Sequence, residues 1–200
     1  TKYPEKYPGL CTPDESYHGV TYTERFGLGG AYITKATAQL MRDFGMCAAP
    51  MNAYLLGLGL ESLHVRMRQH CAGALAVAKF LSENEHVAWV NYAGLPGDPQ
   101  HALAEKYMPN GSCGVVSFGV KGGRAAAETM MAHLRIAAIE THVADARSCC
   151  LHPASTTHSQ MNEQELLAAG IRPNTIRLSI GTEHIDDILA DLQHGFDAVK

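Results

Sequence analysis

The chain has 200 residues, of which 46% are hydrophobic and 18% are charged, and its formal net charge is −4 at pH 7. This composition is typical of a globular protein, and the length allows one ordinary core or two small domains. Acidic and basic residues are mixed along the sequence, which argues against a nucleic-acid-binding surface. The apolar stretches are too short for a membrane span, and no charged-then-apolar leader opens the sequence. We therefore expect a cytoplasmic protein.

The six cysteines and eleven histidines are the residues that could indicate a metal site. The cysteines form no Cys-x-x-Cys pair, and no two histidines are four residues apart. For the adjacent Cys149 and Cys150, two reduced and buried thiols agree better with a reducing compartment than a vicinal disulfide does. We predict no metal site; a His/Cys metal-binding protein remains the alternative, which elemental analysis would reveal.

The first part of the chain, residues 1–50, is predicted to be a long irregular arm. Residues 1–30 are rich in Pro, Gly, Tyr and Thr without a sustained period, and a short helix is expected from Tyr32 to Phe44. Apolar residues then recur three and four apart over residues 51–85, which predicts one long linking helix. Three glycines in that helix should each weaken it by about 1 kcal/mol relative to alanine.

Residues 86–200 are predicted to form a compact α+β domain, because short strand patterns alternate with helical ones. Helices are expected near Gln100–Tyr107 and Arg124–Leu134, after Asn162 and after Thr182. The predicted fold class is α/β, with the long linking helix followed by a small, mostly antiparallel sheet covered by helices. The predicted strands are Val87–Tyr92, Gly114–Val120, Ile136–Val143, Ser148–Leu151 and Thr175–Ile180.

Two polar features in this domain each allow two interpretations. The loop His152–Ser159 offers consecutive hydroxyl groups, which are typical of a surface loop with local turns and equally of a wall of donors beside a polar ligand. Arg177 stands between apolar neighbours in the last predicted strand, so alternation places it on the opposite face from them. It is either an edge-strand residue facing water or a guanidinium fork directed at a carboxylate.

Four segments together resemble the pyridoxal-phosphate-dependent Cys/Met-metabolism enzymes, which include cystathionine synthases and lyases and methionine lyases. Within that family, Pro13–Gly19 and the Thr-Thr pair in the His152–Ser159 loop look most like O-acetylhomoserine sulfhydrylases. The resemblance covers essentially the whole chain in order, whereas family members are about twice as long. The four segments are Gly59–Met67, Gly94–Gly97, His152–Ser159 and Arg177–Gly181.

The resemblance implies that this chain is the C-terminal half of a fold-type I pyridoxal-phosphate enzyme, with residues 1–50 ending the large cofactor domain. The family's cofactor lysine, pyridine-pairing acid, phosphate-binding loop and stacking tyrosine belong to the other half. We therefore expect no catalytic or cofactor-binding residue here, and no covalently bound pyridoxal phosphate. The implied partners are the missing N-terminal half, further copies in a homotetramer, and a small amino-acid substrate.

By resemblance, Arg177 matches the arginine that binds the substrate's α-carboxylate. Thr157 and the backbone around His142 and Val143 match positions that flank this carboxylate. The segment His142-Val143-Ala144-Asp145 stands where relatives commonly have Asn-Val-Gly-Asp. His142 could therefore face the substrate or pack inside the domain, and we favour the packed position.

The reaction implied for the complete enzyme is a γ-replacement, in which acetate leaves O-acetyl-L-homoserine and sulfide or a thiol adds. This half would position the substrate and would be inactive alone. The alternatives are a cystathionine γ-synthase or methionine γ-lyase of the same family, and a stand-alone assembly module without chemistry.

Overall fold

The computed structural model describes residues 1–199 and divides the chain into two compact units, Thr1–Gly59 and the residues from Leu60 onward. The first unit contains helices and short turns. The second contains a five-stranded sheet with helices packed on it. None of the described helices combines the length and apolar character needed to cross a membrane.

The first unit contains more helix than the sequence predicts. After α1 (Pro8–Cys11), helix α2 (Tyr22–Thr34) continues as a π-helical segment, Lys35–Met41, and ends in α3 (Arg42–Phe44). The helix predicted to begin at Tyr32 thus begins ten residues earlier. The helical pattern is interrupted at Gly27, which kinks α2 with φ 68°.

A polar network holds the turn at residues 13–19 against this helical stretch. The Asp14 carboxylate is paired with Lys35 and accepts hydrogen bonds from the Ser16 amide and hydroxyl at 3.0 and 2.6 Å. Gln39 donates to Ser16 and accepts from the Tyr22 hydroxyl at 2.8 Å. These bonds to Lys35 and Ser16 lower the pKa of Asp14 from 3.8 to about 2. The segment that resembles the sulfhydrylases is therefore an ordered element.

The predicted long helix is two helices, α4 (Pro50–Glu61) and α5 (Leu63–Glu83). Ser62 separates them with φ −100° and ψ 0°, outside regular helix geometry, and its carbonyl accepts the amide hydrogen of Arg66 at 3.0 Å to begin α5. Helix α4 is apolar around its circumference, yet its large side chains are exposed: Met51, Tyr54, Leu55, Leu56, Leu58 and Leu60.

The sheet of the second unit has the strand order β1-β2-β5-β4-β3. All neighbouring strands are antiparallel except β3 and β4, which are parallel. Strand β3 is much shorter than the predicted Ile136–Val143, because the chain leaves the sheet after Ile139. The strands are β1 (Val87–Asn91), β2 (Val115–Val120), β3 (Ala138–Ile139), β4 (Cys149–Leu151) and β5 (Thr175–Ser179).

One face of this sheet is covered and the other is open. The covered face packs on α5, α7 (Gly123–Ala132) and α9 (Ile185–Asp197), while α6 (His101–Tyr107) and α8 (Glu163–Ala168) lie in the connections. Alternation along the strands therefore sends one set of side chains into the core and the other to the open face. The core side chains of β2 and β5 are Val116, Phe118, Val120, Ile176 and Leu178.

Candidate functional site

Polar side chains from three neighbouring strands form a row across the open face of the sheet. Asn91 of β1 pairs with Ser117 of β2, and Ser117 pairs with Arg177 of β5. On the other side of Arg177, Leu151 of β4 continues the row. All four side chains line a cavity of about 480 Å³, which lies within the second unit and is large enough for a small-molecule ligand.

Arg177 is the central cation of this cavity. Because β5 lies between β2 and β4, the edge-strand interpretation of Arg177 is wrong. Its Nη2 donates to the Thr141 carbonyl oxygen at 3.0 Å, while its Nε is buried and has no hydrogen-bond partner in the described chain. A buried guanidinium N–H without an acceptor is costly, so this donor is suited to an anion entering the cavity.

The loop predicted at His152–Ser159 lines the same cavity through Pro153, Thr157 and His158. It opens with a 3₁₀ turn, Pro153–Ser155, and Thr157 is exposed with its hydroxyl 2.9 Å from Nδ1 of His158. Thr157 and Arg177 are thus brought together, as both line one cavity. The loop is thus an exposed turn whose side chains also line the cavity that contains Arg177, so the structure agrees with both interpretations of it.

His152, the first residue of this loop, ties it to Pro173, which lies just before β5. It is 1% exposed, its Nε2 donates to the Pro173 carbonyl at 2.8 Å, and its Nδ1 lies 2.8 Å from the Ser155 hydroxyl. The bond to a carbonyl fixes the tautomer, so Nδ1 accepts from Ser155. Through these two bonds His152 joins the Pro153–His158 side of the cavity to the Gly170–Thr175 side.

His142 and Val143 lie outside the cavity lining, on the loop of residues 140–147, whose Thr141 carbonyl accepts a hydrogen bond from the cavity residue Arg177. We call this segment the covering loop. The favoured packed position of His142 is wrong: its side chain is 66% exposed and its Nδ1 lies 2.7 Å from Glu140. Val143 is 55% exposed. Their role beside the carboxylate stays a prediction, although the Thr141 carbonyl next to them contacts Arg177 directly.

This covering loop turns sharply at Ala144, which has φ 61° in the left-handed region. Its amide donates to the Ser179 hydroxyl of β5 at 3.0 Å, which holds the turn on the sheet. Glycine adopts this conformation without the steric cost that a Cβ brings. The glycine that relatives commonly have at this position thus has a conformational explanation.

A second set of contacts ties the loop to the end of β5. The Glu183 carboxylate accepts from the Ser148 amide at 2.6 Å and from its hydroxyl at 3.0 Å, and the same hydroxyl accepts the Gly181 amide at 2.9 Å. The Thr182 amide donates to the Ala146 carbonyl at 2.8 Å. The geometry of this junction depends on Gly181 having no side chain, since a Cβ there would lie 2.5 Å from the carbonyl oxygen of Ala146.

Glu140, His142 and Asp145 place three donor atoms within 4.8 Å of one another at the base of this loop. Arg147 already lies 3.7 Å from each of the two carboxylates. A metal ion would therefore compete with a permanent positive charge, and Asp145 has a lowered pKa because it accepts the Arg147 amide. We assign no metal to this cluster.

The cavity residues suit an anion rather than a covalent cofactor. A pyridoxal-phosphate Schiff base requires a lysine amine. Among the described residues, no lysine lines the cavity, and no aspartate or glutamate does either. The lining does contain the guanidinium groups of Arg172 and Arg177 together with His158.

The cavity residues missed from the sequence include Trp89, Asn91, Ser117 and Arg172. Asn91 and Ser117 are polar residues in otherwise apolar strands, the same signal that drew attention to Arg177. That signal could have indicated them, but only the pairing of β1 with β2 and β5 shows that the three share one row. Trp89 and Arg172 gave no signal, because their contact joins distant parts of the chain.

The model of the Cys/Met metabolism PLP-dependent enzyme family matches residues 27–197 of this chain. O-acetyl-L-homoserine sulfhydrylase 1 of Thermus thermophilus is 42% identical over 188 residues, covering 94% of this chain and 44% of the relative. Homocysteine/cysteine synthase of Saccharomyces cerevisiae is 41% identical over 207 aligned residues, covering 98% and 46%.

A crystal structure assigned to an O-acetylhomoserine (thiol)-lyase of Campylobacter jejuni superposes with a TM-score of 0.85 at 38% identity. It is matched over 96% of this chain and 45% of its own, and it contains N′-pyridoxyl-lysine-5′-monophosphate. This chain thus spans less than half the length of the relatives it matches. The matches confirm the predicted fold class and the resemblance: the chain belongs to the Cys/Met metabolism PLP-dependent enzyme family.

Proposed function

We propose that this chain is the substrate-binding C-terminal part of a pyridoxal-phosphate-dependent sulfhydrylase. The complete enzyme would convert O-acetyl-L-homoserine and sulfide or a thiol into homocysteine or methionine and acetate. The observation that carries this proposal is the buried, unpartnered Nε of Arg177 in a cavity without acidic residues among those described. Support for this substrate, over a cystathionine γ-synthase or methionine γ-lyase, comes from the O-acetyl-L-homoserine sulfhydrylases among its relatives.

In this proposal Arg177 holds the α-carboxylate of the substrate in a fixed orientation. Its Nη2 is committed to the Thr141 carbonyl, so the remaining N–H donors are the ones available to the carboxylate. Thr157 lines the same cavity, and its hydroxyl can donate to the same carboxylate. Pyridoxal phosphate, bound by the other half, would supply the electron sink, and this chain would supply position and charge.

The test is the steady-state kinetics of the enzyme that contains this chain, with Arg177→Gln and Arg177→Lys. Charge-assisted hydrogen bonds contribute about 1.5–3 kcal/mol each, so losing two raises KM for O-acetyl-L-homoserine by roughly a hundredfold or more. Lysine keeps the charge without the planar fork and should recover only part of this loss. Arg124→Gln, at an exposed arginine on α7, is the matched control. Unchanged KM and kcat in Arg177→Gln would contradict the assignment.

We further propose that helix α4 is covered in the complete enzyme by the N-terminal half or by another copy of the chain. A helix that is apolar all round is normally buried, and the exposed Tyr54, Leu55 and Leu58 leave α4 uncovered in this chain. Leu55→Glu should disrupt assembly of the complete enzyme, read by light scattering, without altering the helix content of the chain alone. Unchanged assembly would refute this part.

We also propose a cytoplasmic location. All six cysteines are free, which agrees with a reducing compartment. Fractionation of cells that express the enzyme tests this directly, and recovery in an oxidising compartment would contradict it.

A further inference from the structure

We propose that Arg172 and Trp89 form a second anion-binding subsite in the cavity that contains Arg177. The cavity would then take a small ligand with two acidic groups, one at each guanidinium. The proposal rests on the proposed role of Arg177 as the carboxylate-binding residue. It goes beyond that role by specifying a ligand with a second acidic end, which O-acetyl-L-homoserine lacks, so this ligand is a different molecule from that substrate.

The position of Arg172 is fixed by two kinds of contact. Its guanidinium carbon lies 5.0 Å from the centre of the Trp89 ring, a cation–π arrangement. Its backbone forms two hydrogen bonds with Thr175: the Arg172 amide donates to the Thr175 hydroxyl at 3.0 Å, and the Thr175 amide donates to the Arg172 carbonyl at 3.0 Å. An arginine whose backbone is hydrogen-bonded and whose guanidinium stacks on an aromatic ring loses little further conformational freedom when it binds a ligand.

The aromatic platform is itself built into the sheet. Trp89 pairs across the strands with Gly119, and a Cβ at Gly119 would lie 2.1 Å from the indole Nε1. Only glycine therefore lets the indole lie flat on β2 at this point. The ring in turn supports the guanidinium of Arg172 from one side.

The charge of the cavity is unbalanced. Arg172, Arg177 and His158 line it, and no carboxylate among the described lining residues opposes them. No ion pair in the described chain involves Arg172 or Arg177. Stacking engages the face of the Arg172 guanidinium and leaves its edge donors for an acceptor, and two such cations in one cavity attract anions.

The positions of the two arginines bound the length of the ligand. Trp89, which stacks on the Arg172 guanidinium, lies on β1, two strands away from Arg177 on β5 and two residues back along the strand direction. Two strand spacings of about 4.8 Å and two residues of about 3.4 Å place the backbones of Trp89 and Arg177 about 12 Å apart. A ligand that joins the two guanidinium groups therefore needs acidic groups at the two ends of a short aliphatic chain, with hydrogen bonds at each end. Adipate is the probe, and hexanoate is its matched monoanion.

The experiment is isothermal titration of the full chain with adipate and with hexanoate. We expect adipate to bind about tenfold tighter or more, because its second carboxylate makes charge-assisted hydrogen bonds. Arg172→Gln should abolish that preference while leaving hexanoate affinity within about twofold. Arg172 is exposed, so this variant should keep its fold, which far-UV circular dichroism checks. Arg124→Gln should behave like the wild type.

Equal affinity for the two ligands, a preference that survives Arg172→Gln, or no adipate binding would each overturn the subsite. The Arg177→Gln variant separates this outcome from a failure of the proposed function. If Arg177→Gln retains hexanoate affinity, Arg177 is not the carboxylate-binding residue. An adipate preference that depends on Arg172 would still support the second subsite in that case.

Discussion

Replacing Gly181 by alanine should strain the junction between β5 and the covering loop. The new Cβ would lie 2.5 Å from the Ala146 carbonyl oxygen, 2.5 Å from the Arg147 carbonyl carbon and 2.3 Å from Glu183 Oε2. The glutamate side chain can swing away, but the two backbone atoms can move only with the loop. Since that loop also places the Thr141 carbonyl on Arg177, the strain reaches the cavity.

The size of the effect follows from these distances. Ordinary van der Waals contact begins at 3.4 Å, so the loop backbone must retreat by about 1 Å. Overpacking of this kind costs about 1–3 kcal/mol. Displacing Glu183 from the Ser148 amide weakens a charge-assisted hydrogen bond worth about 1.5–3 kcal/mol. We expect Gly181→Ala to lower the free energy of unfolding of the second unit by about 2–5 kcal/mol.

The assay is urea unfolding followed by tryptophan fluorescence, because Trp89 is the chain's single tryptophan and lies in the second unit. The control is Gly97→Ala, where a Cβ has no heavy atom within 4 Å. That variant should be neutral or stabilised by up to about 1 kcal/mol, through reduced freedom of the unfolded chain. A Gly181→Ala variant as stable as Gly97→Ala would refute the close-approach reasoning.

Three further predictions concern the covering loop, the cysteines and the first unit. Ala144→Gly should raise the free energy of unfolding by about 0.5 kcal/mol in urea titrations, because relief of the left-handed φ of 61° outweighs the greater freedom of glycine; a loss of stability would contradict this. Burial raises the pKa of Cys150 to about 12, so mass spectrometry should find iodoacetamide on exposed Cys47 but not on Cys150 until the chain is unfolded; equal labelling would disprove the burial. Because the pKa of Asp14 falls from 3.8 to about 2 beside Lys35, its stabilising contribution is complete above pH 3.8 and is lost as the pH falls through about 2. The difference in melting temperature between wild type and Asp14→Asn should therefore shrink over that range, and a constant difference would exclude the ion pair as its source.

The sheet and most helices of the second unit were predictable because their signals are local. Alternation marks β1, β2 and β5, and the Asn162 capping box that marks α8 is present as expected. The break at Ser62 was not predictable, because the apolar period continues through it. The helix beginning at Tyr22 was hidden by glycines, whose conformational cost is offset here by the network around Asp14 and Lys35.

For the candidate site, the sequence predicted only what the alternation of side chains within a single strand can indicate. Alternation placed Arg177 on the face opposite Leu178, which is where it lies. That this face is central, open and shared with Ser117 depends on strand order, which is a product of long-range pairing. The exposure of His142 depends on the end of β3 after Ile139, and no local pattern marked that end.

Neighbouring positions of strand β5 are subject to different kinds of selection, one for stability and one for ligand binding. Ile176 and Leu178 face the core, so substitutions there change how much folded protein a cell retains. Arg177, between them, faces the cavity, so under the proposed function substitutions there would change which molecule is bound and leave the packing intact. Ligand preference can therefore evolve one residue away from the core without disturbing it. A mutational scan of this strand would show abundance and activity phenotypes at alternate positions.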